Sequence, residues 1–300
     1  MENEIFFTDN VFSLSPMAKR IYLEPGQIYS DTIRITNPLL AENTLHFKIE
    51  AVPYSVTNEN YDADFNTETK YSQIANWITL DQDEGYLEPN NSTSITYHIN
   101  VPTDAPGGGQ YCAFSVYGLA NEDFENSDEG AAAVNNIVEL SSIIYAQVSG
   151  SITRAGEILE NKVPVISFKT PVTTSLSYQN TGNIHQDATV IIKATNAITG
   201  KPITLHSSNS DSNEDSDSQD ILKFNEVVMP DSTRYASHQV EGLSDLGIYK
   251  ISQTISFSGE QNTTEHLVFV TPLWFVCLVI ATIGLTVIFF IFKIKKRHSS

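Results

Sequence analysis

A period-two alternation of apolar and polar residues dominates the chain over 11–265, in short runs rich in Ile, Val, Thr, Tyr and Phe. Clusters of Pro, Gly, Asn, Asp and Ser separate these runs, which is typical of β-strands with one buried face. The predicted strands include 31–36, 45–52, 94–101, 111–117, 138–148, 174–178, 188–194 and 249–257. No long segment with a 3.6-residue period lies before residue 267, so we predict an all-β fold built from sandwiches.

The pattern changes at residue 267, where an uncharged apolar run begins and continues to residue 292. This run is longer than the roughly 18 residues that indicate a membrane-spanning helix. A buried core helix is the alternative, but such helices rarely run this long without a polar face. We therefore predict one transmembrane α-helix over 267–292, with Trp274 near one interface.

Charge predicts the orientation of that helix. Residues 293–300 carry Lys293, Lys295, Lys296 and Arg297, and basic flanks stay on the cytoplasmic side. We therefore expect a single-pass protein of the cell membrane with its N-terminal domains extracellular and its tail cytoplasmic. The whole chain has 36 Asp+Glu against 17 Lys+Arg, and this acidity argues against nucleic acid as a partner.

The N-terminus leaves two interpretations open. The first residues, Met1 to Ile5, show neither the basic nor the apolar region of a signal peptide. Either the signal has been removed or the start is set wrongly, or the protein is tail-anchored with its bulk in the cytosol.

The strand-rich part repeats itself. Pro89 and Pro230 each precede a polar turn, a strand and a Gly-x-Tyr, while Asn37 and Asn180 lie at matching places upstream. The two pairs of landmarks have nearly the same separation, which indicates two similar domains in tandem.

The Gly-x-Tyr elements end at Tyr111 and Tyr249 and match the tyrosine corner of immunoglobulin-like sandwiches. Two tyrosines that only pack in the core are the alternative. Trp77 is a candidate core ring of the first sandwich. We thus predict two immunoglobulin-like β-sandwiches followed by a C-terminal transmembrane helix. The predicted parts are an N-terminal extension (1–10), domain 1 (11–152, acidic loop 121–136), domain 2 (153–265, acidic Ser-rich loop 207–220), the helix (267–292) and a basic tail (293–300).

Two acidic stretches raise the question of calcium. Asp211, Asn213, Asp215 and Asp217 alternate in the second loop, but Gly and Glu are missing from the positions that an EF-hand requires. A solvated loop is the preferred interpretation, and the same applies to the stretch 62–68. We predict no metal site and no cofactor.

Catalytic motifs are equally absent from the sequence. The His residues are scattered, and no H-E-x-x-H, G-x-S-x-G or phosphate-binding loop occurs. Cys112 and Cys277 cannot pair, because Cys277 lies in the membrane run; we predict that Cys112 is a buried apolar residue. We predict no catalytic residues and no enzyme activity.

Several turn and strand-edge motifs resemble a known family. They are 12–16 (FSLSP), 23–27 (LEPGQ), Thr57-Asn58, Trp77-Ile78, 87–90 (LEPN) and Val101-Pro102 before a Gly-rich turn. Together they resemble the N-terminal domain of WxL-interacting proteins, which are Gram-positive surface proteins. The resemblance implies two immunoglobulin-like domains, a membrane helix, a first domain associated with peptidoglycan and a second associated with host ligands. The chain is similar in the same way to chaperone sandwiches of pilus assembly, although their paired basic anchor residues are not evident.

These features predict a non-enzymatic, membrane-anchored cell-surface protein for binding or adhesion. Its expected partners are the membrane, a cell-wall polymer and surface or host proteins. The alternative is a chaperone-like assembly module that binds a client strand at an exposed sheet edge. An enzyme with a dispersed site and a purely structural spacer are further alternatives.

Overall fold

The computed structural model describes residues 12–38, 41, 43–57, 61–120, 137–206 and 220–297. The chain divides into two compact units. The first comprises Met1–Arg154 with the short segments Gly182–His185 and Met229–Ser232. The second comprises Ala155–Thr181, Gln186–Val228 and Thr233–Ser300.

The first unit is a β-sandwich. Its strands are β1 (Ser13–Ser15), β2 (Ala18–Leu23), β3 (Ile28–Thr36), β4 (Leu45–Pro53), β5 (Ser55–Val56), β6 (Ala63–Asp64), β7 (Ile78–Leu80), β8 (Glu84–Leu87), β9 (Ser92–Asn100), β10 (Gly108–Ala120) and β11 (Val138–Val148). One sheet has the order β1-β3-β9-β7, the other β2-β11-β10-β4-β8, and β5 pairs with β6. A 3₁₀ helix, Gln73–Trp77, precedes β7 and was not predicted.

Alternate side chains of the strands form the core of the first unit. In β9 every second side chain, Ile95, Tyr97 and Ile99, is buried between the sheets. Phe114 of β10 packs against Tyr97 with a ring-centroid distance of 4.7 Å. Trp77 is partly buried against this core, in line with its prediction as a core ring.

The second unit is also a β-sandwich. Its strands are β12 (Gly156–Lys162), β13 (Ile166–Ser167), β14 (Val172–Asn180), β15 (Gln186–Asn196), β16 (Ile221–Val228), β17 (Ser232–Val240), β18 (Gly247–Phe257) and β19 (Glu260–Val270). The sheets have the orders β12-β14-β17 and β13-β19-β18-β15-β16. Helix α1 (Leu273–Arg297) follows.

The five-stranded sheets of the two sandwiches have the same arrangement of strands. In each five-stranded sheet a short early strand runs parallel to the last strand: β2 beside β11, and β13 beside β19. The remaining order (last strand, hairpin partner, central strand, edge strand) is the same in both sheets. The fold is therefore two tandem immunoglobulin-like β-sandwiches followed by one C-terminal helix, as the alternation and the repeat predict.

A tyrosine corner closes the second sandwich. The Tyr249 hydroxyl accepts a hydrogen bond from the backbone N–H of Ser244 at 3.0 Å. Its ring folds back over Gly247, where an added Cβ would lie 2.7 Å from the hydroxyl oxygen. Gly-x-Tyr is thus required because residues two apart share a strand face, and only glycine leaves room for the ring.

Tyr111 uses its hydroxyl differently. Its ring also covers the glycine two residues earlier, Gly109, so the packing half of the motif is the same. The hydroxyl, however, accepts from the backbone N–H of His185 at 2.7 Å, within the first unit, and does not close an upstream loop. The tyrosine-corner interpretation is correct for Tyr249, while Tyr111 makes a different contact.

The C-terminal helix begins later than the apolar run. Leu267 to Val270 belong to β19, where Val268 and Val270 are buried in the core of the second sandwich. Pro272 lacks an N–H, and the first helical bonds run from Phe275 and Val276 to its carbonyl oxygen. The stretch Leu273–Ile291 has a mean hydropathy of 2.7 and is long and apolar enough to cross a membrane.

Candidate binding edge

Strand β19 is held against β18 by a tight hairpin. Phe257 pairs with Glu260, and the two residues between them, Ser258 and Gly259, have φ values of 51° and 81°. Two positive φ angles in a two-residue loop define a type I′ turn, whose twist matches that of the strands. The pairing then continues without a register shift to Gly247 and Val270.

The direction of each backbone group in β19 follows from this register. The amides of Phe269 and Thr271 bond to the carbonyl oxygens of Val165 and Ser167, at 2.8 Å and 2.9 Å, on the side away from β18. Because an antiparallel strand alternates the side to which successive residues point, the odd-numbered residues of β19 all face that side. Gln261, Thr263 and Glu265 therefore present both N–H and C=O away from the sheet.

These backbone groups form an uncovered edge. Within the described ranges, β13 pairs with β19 only at Ile166↔Phe269 and Ser167↔Val270, at the far end of the strand. We call Gln261, Thr263 and Glu265 the open edge of β19. It offers three N–H donors and three C=O acceptors in a row, which is the pattern that another strand needs for pairing.

Side chains hold the open edge in an extended conformation. Across the outer face, Thr263 Oγ1 lies 2.9 Å from Thr254 Oγ1, and Lys250 Nζ lies 2.8 Å from Glu265 Oε1. On the inner face, Thr264 Oγ1 donates to the carbonyl oxygen of Asn161 at 3.0 Å. A strand fixed in this way has less conformational entropy to lose when a partner adds to it.

Another edge strand of the second unit, β12, is less suited to pairing. Strand β12 has a register irregularity between Ile158 and Glu160, and a bulge of this kind discourages strand addition.

The histidines link neighbouring strands. His46 is buried, with Nε2 2.5 Å from Glu84 Oε1 and its ring stacked on Tyr86 at 4.3 Å. His46 therefore connects β4 with β8.

His98 lies in a Ser–His–Asp line that the sequence did not reveal. Its Nδ1 is 2.7 Å from Ser30 Oγ and its Nε2 is 3.0 Å from Asp81 Oδ1. The register pairs Ser30 with His98 on adjacent strands, β3 and β9, which brings together residues far apart in sequence. The line lies on the exposed face of the four-stranded sheet, whereas acyl transfer also requires a substrate cavity and oxyanion donors. We assign it a cross-strand linking role.

The calcium candidates divide between described and undescribed residues. Asp64 Oδ1 accepts from the N–H groups of Asn66 and Thr67 at 2.9 Å and 3.2 Å, so this carboxylate closes a turn. The other stretch, around Asp215, lies outside the described residues. Among the residues that are described, no group of three or more His, Cys, Asp or Glu side chains is arranged to hold a metal ion.

Cys112 lies in the core of the first sandwich. Its side chain is fully buried, and burial raises the pKa of the thiol far above its ordinary value. A buried thiol with a raised pKa is a poor nucleophile, which agrees with its prediction as a small apolar core residue. Cys277, in the helix, is exposed, and neither cysteine forms a disulfide.

Comparison with known proteins gives structural similarity alone. No family model and no curated protein matches the chain. A crystal structure of the class 5 fimbriae chaperone CfaA is 14% identical, with 85% of this chain and 99% of that chain covered at a TM-score of 0.40. The E. coli chaperone DraB is 10% identical, with 86% of this chain and 97% of that chain covered at a TM-score of 0.39. A chain of a chaperone–tip adhesin complex of CFA/I fimbriae is 13% identical, with 86% of this chain and 98% of that chain covered at a TM-score of 0.38.

Similarities this weak support no conclusion about what the chain binds. None of them supports the resemblance to WxL-interacting proteins, which stays a prediction.

Proposed function

We propose that this protein is a membrane-anchored, non-enzymatic binding protein that captures an extended polypeptide segment by strand addition to the open edge of β19. The observation that supports the proposal is the row of outward-facing N–H and C=O groups at Gln261, Thr263 and Glu265. In strand addition, main-chain hydrogen bonds supply affinity and alternate side chains supply selectivity.

The composition of β19 favours this use of its edge. Strands that avoid pairing are protected by Pro, Lys, bulges or very short length. Strand β19 runs from Glu260 to Val270 without Pro or Lys, and its ladder with β18 has no bulge. Glu265 is the one charged residue of the open edge, and Lys250 neutralises it.

The C-terminal helix would anchor the open edge of β19 at a membrane. The apolar stretch Leu273–Ile291 has 19 residues, which at about 1.5 Å per residue is close to the roughly 30 Å of a hydrocarbon core. The basic cluster that ends at Arg297 follows this stretch and would stay on the cytoplasmic side. Both sandwiches would then lie on the outer side of a cell membrane, where they meet surface proteins.

The proposed partner is a protein segment that can become extended. A cell-wall polymer, the partner implied by the family resemblance, has no strand backbone to pair with the open edge. The two partner classes therefore differ in whether binding depends on the backbone N–H groups of β19.

One substitution pair tests that dependence. In Thr263→Pro the outward N–H is lost and the proline ring occupies the edge, while the ladder to β18 is kept because this amide does not bond to β18. The matched control, Thr263→Ala, loses the hydroxyl contact with Thr254 but keeps the N–H. The assay measures binding of the full chain in nanodiscs to a panel of extended peptides and to their N-methylated counterparts.

The proposal predicts that Thr263→Ala binds as the unchanged chain does, that Thr263→Pro does not bind, and that N-methylation of the peptide abolishes binding. Equal peptide binding by the two variants would contradict it. Capture of purified cell wall by both variants, with no peptide binding, would favour the polymer-binding alternative.

A further inference from the structure

The strand register places one end of the second sandwich beside the start of the membrane helix. Val270, the last residue of β19, pairs with Gly247, and Tyr249 pairs with Asn196 on the next strand. Leu273 begins the helix three residues after Val270. Three residues span at most about 11 Å, so this end of the sandwich is held close to the point where the chain enters the helix.

Large apolar side chains are exposed at this end. They come from strands β13 and β19 and from the loops after β13, after β15 and before β18: Ile166, Phe168, Ile198, Leu246, Leu267 and Phe269. Their exposed fractions lie between 43% for Phe269 and 79% for Ile198, which is high for residues of this type. We call these six residues the juxtamembrane patch. The other exposed large apolar residues of the unit before the helix are Val165, which directly precedes the patch residue Ile166, and Leu159 and Tyr235, which belong to the three-stranded sheet.

The opposite end of the five-stranded sheet is polar. There the hairpin of β18 and β19 turns through Ser258 and Gly259 and continues into Glu260, Gln261 and Asn262. The apolar surface is therefore concentrated at the end from which the helix leaves. Contiguous exposed apolar surface of this kind marks an interaction site.

Hydrogen bonds fix the connection between sandwich and helix. The backbone amide of Phe269 donates to Val165 O at 2.8 Å, and that of Thr271 donates to Ser167 O at 2.9 Å. The hydroxyl of Thr170 donates to the carboxylate of Asp245, so the loop that carries Phe168 is held as well. No flexible linker separates the patch from the helix, since Thr271 is bonded and Pro272 already accepts the first helical bonds.

We propose that the juxtamembrane patch lies in the interfacial layer of the same bilayer that the helix crosses. Phe168 and Phe269 would extend the aromatic belt that Trp274 begins in the helix, and burial of Ile198 and Leu246 removes apolar surface from water. Lys169 and Lys201, next to the patch in sequence, can reach lipid headgroups while their stems stay with it. The occupant is lipid because the helix fixes a bilayer at this end of the sandwich. This inference rests on the membrane anchor of the proposed function.

Depth-dependent fluorescence tests this contact. A Cys277→Ser chain keeps only Cys112, which is buried, so single cysteines can be added and labelled with an environment-sensitive dye. The test sites are Phe168→Cys and Ile198→Cys. Gln261→Cys, at the opposite end of the sheet, is the matched control, and Leu285→Cys reports on insertion of the helix. Each labelled chain is placed in nanodiscs with and without doxyl-labelled lipid.

The proposal predicts blue-shifted emission and doxyl quenching at residues 168, 198 and 285, and neither effect at residue 261. Quenching at 285 with none at 168 and 198 would overturn the patch contact and leave the anchor intact. No quenching at 285 would overturn the anchor and the patch contact with it. Blue-shifted emission at 168 and 198 without doxyl quenching would overturn the lipid contact in favour of a second copy of the chain.

Discussion

Asn180 donates a hydrogen bond from its side-chain Nδ2 to the carbonyl oxygen of Val228 at 2.9 Å, and both residues are fully buried. Asn37 makes the same contact with the carbonyl oxygen of Leu87, also at 2.9 Å. In each sandwich the asparagine therefore ties the end of one strand to the end of an edge strand in the other sheet. The repeat in the sequence thus corresponds to a repeated hydrogen bond between the two sheets.

The prolines of the repeat mark the turns that follow. Pro89 and Pro230 lie two residues after the carbonyl acceptors, and the next residues, Asn90 and Asp231, have φ values of 62° and 55°. Proline followed by a residue with positive φ is the sequence of a type II turn, in which Asn is tolerated in place of Gly.

The asparagine contact predicts a measurable loss of stability. Asn180→Ala leaves the buried carbonyl of Val228 without its donor, which costs about 1–3 kcal/mol. We expect the free energy of opening of the second sandwich, measured by amide hydrogen exchange in β14 and β15, to fall by this amount. The control is Asn225→Ala, the same change at an exposed position. It should alter this free energy of opening by less than about 0.5 kcal/mol. Equal effects of the two substitutions would contradict this role.

The tyrosine corner predicts that Gly247 cannot carry a side chain. In Gly247→Ala the new Cβ would lie 2.7 Å from the Tyr249 hydroxyl, so the ring must move and its bond with Ser244 is lost. We expect a lower thermal unfolding midpoint than for Tyr249→Phe, which keeps the ring and loses about 1 kcal/mol of hydrogen bonding. In a chain that already carries Tyr249→Leu, Gly247→Ala should lower the thermal unfolding midpoint by less than it does in the unchanged chain. An unchanged cost there would show that the ring is not the cause.

The ionic contact between β2 and β3 predicts an acid-dependent loss of stability. Burial alone would raise the pKa of Asp31, but hydrogen bonds from Lys19, Tyr29 and the Thr32 N–H outweigh it and hold that pKa below its ordinary value of 3.8. A carboxyl with a lowered folded pKa stabilises the fold above its unfolded pKa and loses this effect as pH falls through the folded pKa. The thermal unfolding midpoint of the unchanged chain should fall between neutral pH and pH 3, and we expect a smaller fall for Asp31→Asn. An identical fall in both proteins would contradict the assignment.

The buried thiol predicts unequal cysteine reactivity. Cys112 is fully buried with a raised pKa, whereas Cys277 is exposed in the helix. In a Cys277→Ser chain we expect iodoacetamide at pH 8 to leave Cys112 unmodified until denaturant is added. Mass spectrometry of the intact chain measures the modification. Complete alkylation of the folded chain at the rate of a free thiol would show that Cys112 is not a core residue.

The sequence predicts the fold well where a local pattern is strong. Strand alternation, the landmarks at Asn37 and Asn180, and Gly247-x-Tyr249 each have a local physical cause, and the structure contains all three features. The start of the helix was placed too early, since Leu267 to Val270 are as apolar as a membrane helix and hydropathy does not distinguish the two. Thr271-Pro272 suits a helix start, since proline in the first turn lacks an N–H that would be unpaired, and the observed helix begins there.

The candidate site was not predictable in the same way. Strand β19 begins with a polar run, from Glu260 to Glu265, which has neither strand alternation nor a recognised motif. Its open edge depends on which strands pair with it, and β13 supplies only two residues. Likewise, Ser30, His98 and Asp81 meet only through strand pairing, so their line could not be read from sequence spacing.

Hydrogen exchange at the open edge tests the central claim most directly. The measurement compares the amides of Gln261, Thr263 and Glu265 in the full chain, alone and mixed with an extended peptide that it binds. Strand addition predicts slower exchange at these three amides in the mixture, while the amide of Thr264, already paired with Gln253 within the hairpin, changes little. Unchanged exchange at all three amides under conditions where the peptide is fully bound would contradict it.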